Sequence, residues 1–220
     1  MTDLVIAALI AGPLEAGTPG FIGVQYDIKP GWHIYWENPG ESGIPTEVTL
    51  ELPPGMAASA PQYPGPHSFS VPGDLINYGY EGSMTLLVPV SLDGVAAGTV
   101  TAATRWLVCR DEQCVPGRAE LTLKLPAPST LDVAAVQGHV PAPLPSSASV
   151  VRDGRGASVT IPGAEVAEVF ANLVLEESLL QTAASGERAR IWLKEAPAEG
   201  SAAVLRVTEG GAERFYLLPL

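Results

Sequence analysis

The sequence predicts an all-β protein, in which a β-sandwich is followed by a second, smaller β domain. Short runs of alternating apolar and polar residues recur along the chain, as in strands that bury one face. The 220 residues include 23 glycines and 21 prolines, which suit the turns between many short strands. Hydrophobic residues make up 46% of the chain and charged residues 16%, so the chain can bury a core and should not be disordered.

The first domain is expected at residues 1–126, with strands that stop at turn signals such as Lys29-Pro30-Gly31. The apolar run Leu4–Ala11 at the start of this domain is too short to span a membrane. It follows the acidic residue Asp3, which favours a buried strand over a signal sequence. The four prolines within residues 57–82 predict a loop-rich segment there. The predicted strands are Leu4–Ala11, Phe21–Ile28, Trp32–Trp36, Thr46–Leu52, Met84–Leu92, Thr99–Cys109 and Val115–Leu125.

Residues 127–147 change character, because prolines and small residues replace the alternating runs. This composition predicts an interdomain linker, with one helical turn after Ser129. Apolar alternation resumes beyond it and predicts the second β domain at residues 148–220. The predicted strands of that domain are Ala157–Ile161, Ala167–Leu175, Ala189–Leu193, Ala203–Thr208 and Arg214–Leu218.

The formal net charge of −12 argues against two classes of partner. Nucleic-acid binding relies on Lys and Arg to replace the counterions of the phosphates, so a nucleic-acid partner is not expected. The same charge disfavours an anionic membrane surface.

The only two cysteines, Cys109 and Cys114, lie at the ends of the stretch C-R-D-E-Q-C between the two longest strand runs. If they face each other across a hairpin, Trp106 lies opposite Gly117 and Val108 opposite Val115, all on one apolar face. Both cysteines then lie on the other, polar face, outside the core. Directly opposed residues are close enough for a disulfide.

The same register places Arg105 opposite Arg118 on the polar face. Cations near the sulfurs would favour a thiolate and so help exchange, whereas Asp111 and Glu112 in the loop act in the opposite direction.

Three roles for the cysteine pair stay open on spacing alone. A disulfide that closes so small a loop contributes roughly 2 kcal/mol, near the low end for disulfides, and a chain this apolar does not need it. A redox pair and a plain structural disulfide are therefore both compatible with the spacing. Two thiolates could also hold Cu(I), but His139 or Met84 would have to be brought to them by folding.

Other conspicuous side chains are ambiguous. Trp32 and Trp36 are expected to pack in the core, and His33 to be a surface or hydrogen-bonded strand residue. His67, like His139, lies in a proline-rich loop without a partner that would indicate catalysis. The turn-rich segment 64–82 carries three aromatic residues that could either cover a disulfide or fill gaps in the core: Phe69, Tyr78 and Tyr80.

Three motifs, in this order along the chain, resemble a known family: G-W-H-I-Y-W-E-N-P-G-E-S-G-I-P-T (31–46), L-I-N-Y-G-Y-E-G (75–82) and W-L-V-C-R-D-E-Q-C-V-P-G-R-A-E-L (106–121). They are similar to the N-terminal periplasmic region of the bacterial DsbD thiol:disulfide interchange proteins, and most of all to the ScsB branch, named for suppression of copper sensitivity. The resemblance is strong over residues 20–126. The ScsB branch also has a second β domain, which would account for residues 148–220.

The resemblance implies an immunoglobulin-like sandwich that acts as a thiol:disulfide oxidoreductase, with Cys109 and Cys114 as its redox pair and no cofactor. Cys114 would form the mixed disulfide with a partner, and a cap loop at about 65–79 would shield the pair, with Phe69 as the candidate shielding residue.

The resemblance also implies partners and a compartment. Electrons would come from membrane-embedded and thioredoxin-like domains of the same system and pass to periplasmic thioredoxin-fold proteins, such as ScsC-like, disulfide-isomerase-like and peroxide-scavenging proteins. The chain would then be the soluble periplasmic portion of an inner-membrane protein, or a free-standing relative. The alternative is a non-catalytic sandwich, a copper-handling or scaffold module, with an inert disulfide.

Overall fold

The computed structural model describes residues 4–73, 75–94, 96–110, 113–172, 179–194, 196–197 and 199–220. The chain divides into two compact units, Met1–Gln137 and Gly138–Leu220. Both units are built almost entirely of strands, which confirms the predicted all-β class.

The strands of the first unit follow the predicted alternating runs closely. A short helix, α1 (Val133–Gln137), lies near its end. The strands are β1 (Val5–Ala11), β2 (Gly20–Ile28), β3 (His33–Gly40), β4 (Glu47–Glu51), β5 (Met56–Ala58), β6 (His67–Val71), β7 (Leu75–Tyr80), β8 (Ser83–Leu92), β9 (Gly98–Arg110) and β10 (Gln113–Leu125).

These strands form two sheets that bury a common core. One sheet has the order β1-β2-β8-β5, and the other has the order β10-β9-β3-β7-β6, with β4 also paired to β9. Ile22 of the first sheet and Val100 of the second are fully buried in one apolar cluster. Burial of one face of each sheet against the other is the arrangement of a β-sandwich, so the predicted sandwich is confirmed.

The expectation of a loop-rich segment over residues 57–82 holds for only about half of it, because the other half lies in β5, β6 and β7. The prolines fall between these strands or at the turn Pro72-Gly73, where Gly73 has φ of 92°. Proline is disfavoured in the interior of a central strand and is well tolerated at strand ends and turns. The prolines therefore mark the limits of a hairpin, β6–β7, rather than its absence.

The first part of the predicted linker packs on the sandwich. Leu131 is buried, and the backbone N–H groups of Thr130 and Leu131 both donate to the carbonyl of Ala11. The residues up to Gln137 accordingly belong to the first unit. The domain limits at 126 and 148 stay a prediction.

The second unit has its own core between two four-stranded sheets, ordered β11-β18-β17-β14 and β12-β13-β16-β15. Val159 and Ile191 of one sheet and Leu205 of the other are buried in the same cluster. The last three residues of the predicted run Ala167–Leu175 lie outside the described part of the chain. The strands are β11 (Ala142–Pro143), β12 (Ser149–Arg152), β13 (Gly156–Thr160), β14 (Glu165–Asn172), β15 (Leu179–Ser185), β16 (Arg188–Leu193), β17 (Ala202–Glu209) and β18 (Ala212–Pro219).

Candidate redox site

The hairpin β9–β10 holds the two cysteines opposite each other. Its register pairs Cys114 with Cys109 and continues without a break to the pair Leu125 and Gly98. The two cysteines form a disulfide, with their Cα atoms 4.1 Å apart, close to the separation of directly opposed antiparallel residues. The pairing predicted from the sequence is confirmed, while Asp111 and Glu112 lie outside the described residues.

The apolar face of this hairpin also follows the predicted register. Trp106 lies opposite Gly117, and a Cβ atom added at Gly117 would collide with the Trp106 indole ring. The indole is held from its other side by Tyr26, whose ring meets it edge-on with centroids 5.8 Å apart. Glycine at 117 therefore allows the tryptophan to lie across the neighbouring strand and fixes the hairpin against the core.

The two cysteines differ in exposure, which the sequence did not predict. Cys114 is exposed, but only 2% of Cys109 is accessible. The expectation that both sulfurs face solvent is wrong for Cys109. The reason lies in the sheet order: β10 is the last strand, whereas β9 lies between β10 and β3 and is covered by side chains from the strands beyond it.

His33 is the functional candidate that the sequence reasoning missed. It lies opposite Cys109 in the β3–β9 register, so His33, Cys109 and Cys114 form a row across three neighbouring strands. Side chains opposite each other on one face have Cβ atoms about 4.5–5.5 Å apart. His33 is buried, contrary to the expected surface position, and burial lowers the pKa of its imidazole, an effect that the Glu81 carboxylate partly offsets.

Two aromatic side chains pack against His33, at one end of this row. The Phe69 ring stacks on His33, with centroids 4.9 Å apart and an angle of 11° between the planes, and Tyr35 meets His33 edge-on at 5.3 Å. Burial raises the pKa of Tyr35, while a hydrogen bond with Asn77 lowers it. Phe69 and Asn77 are paired across the β6–β7 hairpin, so the hairpin brings its aromatic residue over His33, the neighbour of Cys109 in the register.

The other two predicted cap residues do not lie on this face. Tyr80 pairs with Ile34, whose neighbours along β3 are His33 and Tyr35, so alternation sends Tyr80 to the opposite, core side. Its hydroxyl donates to the carbonyl of Pro64 at 2.7 Å, and burial raises its pKa well above the ordinary value. Tyr78 follows the same alternation, and its ring contacts Trp36 edge-on at 6.4 Å. The cap prediction is therefore wrong for Tyr78 and Tyr80.

The two arginines proposed to tune the sulfurs lie far along the hairpin. They are opposite each other, as predicted, but each is four residues from its cysteine, or about 13 Å in an extended strand. Arg105 forms an ion pair with Glu47, with Nε–Oε2 at 2.7 Å. Charges separated by more than about 8–10 Å in water are largely screened. The nearer cation is Arg110, whose guanidinium lies 4.9 Å from the centre of the Trp32 ring.

The remaining histidines and Met84 do not join the cysteines. Met84 is buried in β8 of the other sheet, and His139 belongs to the second unit, where its ring lies 6.4 Å from that of Phe215. His67 is exposed on β6. Among the described residues no group of three or more His, Cys, Asp or Glu side chains is arranged to hold a metal ion.

A β-sandwich with an edge-strand hairpin disulfide, of which one cysteine is exposed and the other buried, defines a domain suited to thiol–disulfide exchange. The family model described as "Thiol:disulfide interchange protein DsbD, N-terminal" matches residues 8–126. The chain belongs to this family, which confirms the resemblance seen in the sequence motifs. The comparison with curated proteins found no match to this chain.

Solved structures extend the likeness to the whole chain. The N-terminal periplasmic domain of ScsB from Proteus mirabilis is 20% identical, with a TM-score of 0.63, over 98% of this chain and 91% of that one. It shares the fold of both units, an immunoglobulin-like sandwich followed by a second β domain. The YadV chaperone is 8% identical, with a TM-score of 0.27, over 99% of this chain and 100% of that one, which is too low to support any inference. The part of the chain that the structure describes has no helix long and apolar enough to cross a membrane.

Proposed function

We propose that this protein is a periplasmic thiol:disulfide oxidoreductase domain that relays two electrons through the Cys109–Cys114 pair. The observation that carries the proposal is the difference in exposure between the two sulfurs. Cys114 is open to a partner, and Cys109 is only 2% exposed in the same disulfide. Membership of the interchange family supports the reaction class.

The difference in exposure supports the following order of steps. When the domain is reduced, a thiolate of the donor attacks the Cys114 sulfur, the disulfide bond breaks, and the electron pair stays on Cys109. The second donor thiol then releases Cys114. When the domain passes the electrons on, the Cys114 thiolate attacks the partner disulfide, and Cys109 displaces the partner from the mixed disulfide.

Phe69 is the residue of the cap that shields the pair in this proposal. Its ring covers His33, the immediate neighbour of Cys109, and leaves Cys114 accessible. A thioredoxin-fold partner would therefore attack the disulfide at Cys114, whereas the Cys109 sulfur is closed to direct attack from solvent.

The donors in this proposal are the membrane-embedded and thioredoxin-like domains of the same reductase system, and the acceptors are thioredoxin-fold proteins of the ScsC-like or disulfide-isomerase-like kind. The compartment is the periplasm. The name of the Proteus mirabilis structure, a periplasmic domain of ScsB, supports this location.

Trapping with single-cysteine variants tests the proposal. Cys109→Ala leaves the exposed Cys114 without a resolving thiol, so its mixed disulfides should persist. We expect this variant, incubated with a periplasmic extract, to retain thioredoxin-fold proteins that are released by a reducing agent. The matched control, Cys114→Ala, leaves only the buried Cys109 and should retain little. Equal trapping by the two variants, or none by either, would contradict the proposal and favour an inert disulfide in a binding module.

A further inference from the structure

The buried histidine beside Cys109 has no role in the steps above. Three strands place His33, Cys109 and Cys114 side by side on one face. His33 is 7% exposed, and its Nε2 atom is buried without a hydrogen-bond partner among the described residues. Buried polar atoms are rarely left without partners. An unpaired imidazole nitrogen next to a redox cysteine is therefore a candidate for chemistry.

The surroundings of His33 keep water and other bases away. Phe69 of β6 covers one face of the imidazole, and Tyr35, which lies on β3 like His33, meets the imidazole in an edge-to-face contact. Of the charged groups nearby, the exposed Glu81, directly after β7, acts on the imidazole through its charge. Arg110, the residue after Cys109, contacts the Trp32 ring instead.

The resolving step needs a proton acceptor at this place. Cys109 attacks as a thiolate, and a thiol buried among apolar groups resists ionisation. Because Cys109 is nearly inaccessible, a base in solvent would reach it poorly. A buried imidazole on the neighbouring strand, directly opposite Cys109 in the register, can meet the requirement for general-base catalysis.

We propose that His33 accepts the proton of the Cys109 thiol while Cys109 displaces the partner from Cys114. In this step the Cys109 sulfur forms a bond to the Cys114 sulfur, and the bond between Cys114 and the partner sulfur breaks. The partner leaves as a thiolate that carries the electron pair, and the proton moves to His33 and from there to the departing thiolate or to water. In the reverse direction His33 returns a proton to the Cys109 thiolate. This inference rests on the proposed function.

A two-phase reaction separates the inference from the proposed function. The reduced protein is mixed with an equimolar amount of dithiobis(nitrobenzoate), an aromatic disulfide that releases a coloured thiolate. Attack by Cys114 releases the first coloured thiolate, and the resolving attack by Cys109 releases the second. The first phase tests whether Cys114 exchanges, and the second phase tests the role of His33.

His33→Phe keeps an aromatic ring for Phe69 to stack on and removes the base. We expect its first phase to match the wild type and its second phase to slow about 100-fold or more, as removal of a general base does. His67→Phe, at an exposed histidine on β6, is the matched control and should leave both phases unchanged. Unfolding of the oxidised variants by urea verifies that each is folded.

The pH profile distinguishes a base from a merely structural residue. In the wild type the second phase should fall as His33 becomes protonated. Glu81→Gln leaves the buried face intact but removes a charge that raises the His33 pKa, so this fall should move to lower pH. A His33→Phe variant with a wild-type second phase, or a Glu81→Gln profile that does not move, overturns the inference. Absence of the first phase in the reduced wild type would instead overturn the proposed function.

Discussion

Reduction of the disulfide should leave the sandwich folded and weaken it only slightly. The disulfide joins Cys109 to Cys114, which are five positions apart in the sequence, and so closes a short loop. On the loop-entropy model so short a loop contributes about 2 kcal/mol. The register of β9 and β10 runs from Gln113 and Arg110 to Leu125 and Gly98, so the hairpin is held by its own ladder and by core side chains.

Urea titration measures this difference. The free energy of unfolding of a small protein falls by about 1–3 kcal/mol per molar urea. A loss of about 2 kcal/mol in that free energy therefore lowers the urea concentration at the unfolding midpoint by about 1 M. Tryptophan fluorescence follows mainly the first unit, because three of the four tryptophans, Trp32, Trp36 and Trp106, belong to it and are buried. The double variant Cys109→Ala/Cys114→Ala should match the reduced wild type.

Two results would refute this reasoning. A reduced protein that is unfolded in the absence of urea would make the disulfide a structural requirement. A midpoint shift several times larger than expected would show that the bridge supports more of the fold than its own short loop. Either result would favour a structural disulfide over a pair that opens during function.

Three further predictions follow from the geometry. A maleimide should alkylate Cys114 in the Cys109→Ala variant at least ten times faster than it alkylates Cys109 in the Cys114→Ala variant, because of the two cysteines only Cys114 is exposed. Equal rates would contradict this difference in exposure. Gly117→Ala should lower the free energy of unfolding by about 1–3 kcal/mol, since its Cβ would collide with the Trp106 indole; a neutral effect in urea unfolding would argue against that packing. The free energy of unfolding of the oxidised protein should fall as the pH drops below about 6.5, because the pKa of His33 is lowered in the folded state and the unfolded chain binds the proton first. The His33→Phe variant should lack this contribution. If its stability depended on pH in the same way as that of the wild type, the prediction would be wrong.

The cysteine hairpin could be predicted because its determinants are local. The short separation of Cys109 and Cys114 and the alternation of the two flanking runs fix the register, since a slip by one residue would exchange the buried and exposed faces. The predicted pairs of Trp106 with Gly117 and of Arg105 with Arg118 follow from that register.

The burial of Cys109 could not be predicted in this way. It depends on β3 lying beside β9, a contact between segments more than 70 residues apart in the chain. Alternation along G-W-H-I-Y-W separates His33 and Tyr35 from Ile34 and Trp36, but does not say which strand they face. Sheet order is a property of the whole fold, and it decides which of two adjacent cysteines is covered.

The cap was only partly predictable for a related reason. The segment around Phe69 could be chosen as a cover from its position and aromatic content, but its prolines concealed the hairpin β6–β7. Once the hairpin is known, the period of two along β7 assigns Tyr78 and Tyr80 to the core side. The side of the sheet on which each aromatic residue lies could therefore be predicted only if β6 and β7 were recognised as strands.

The reduction potential of the Cys109–Cys114 pair tests the central claim most directly. The protein is equilibrated with glutathione and a thioredoxin-like dithiol couple at known ratios, and the fraction of each form is determined after alkylation. An exchanging disulfide that is open to a partner at Cys114 should have a potential well above −300 mV, roughly between −180 and −270 mV, as redox-active pairs do. A potential below about −300 mV, typical of structural disulfides, would contradict the account.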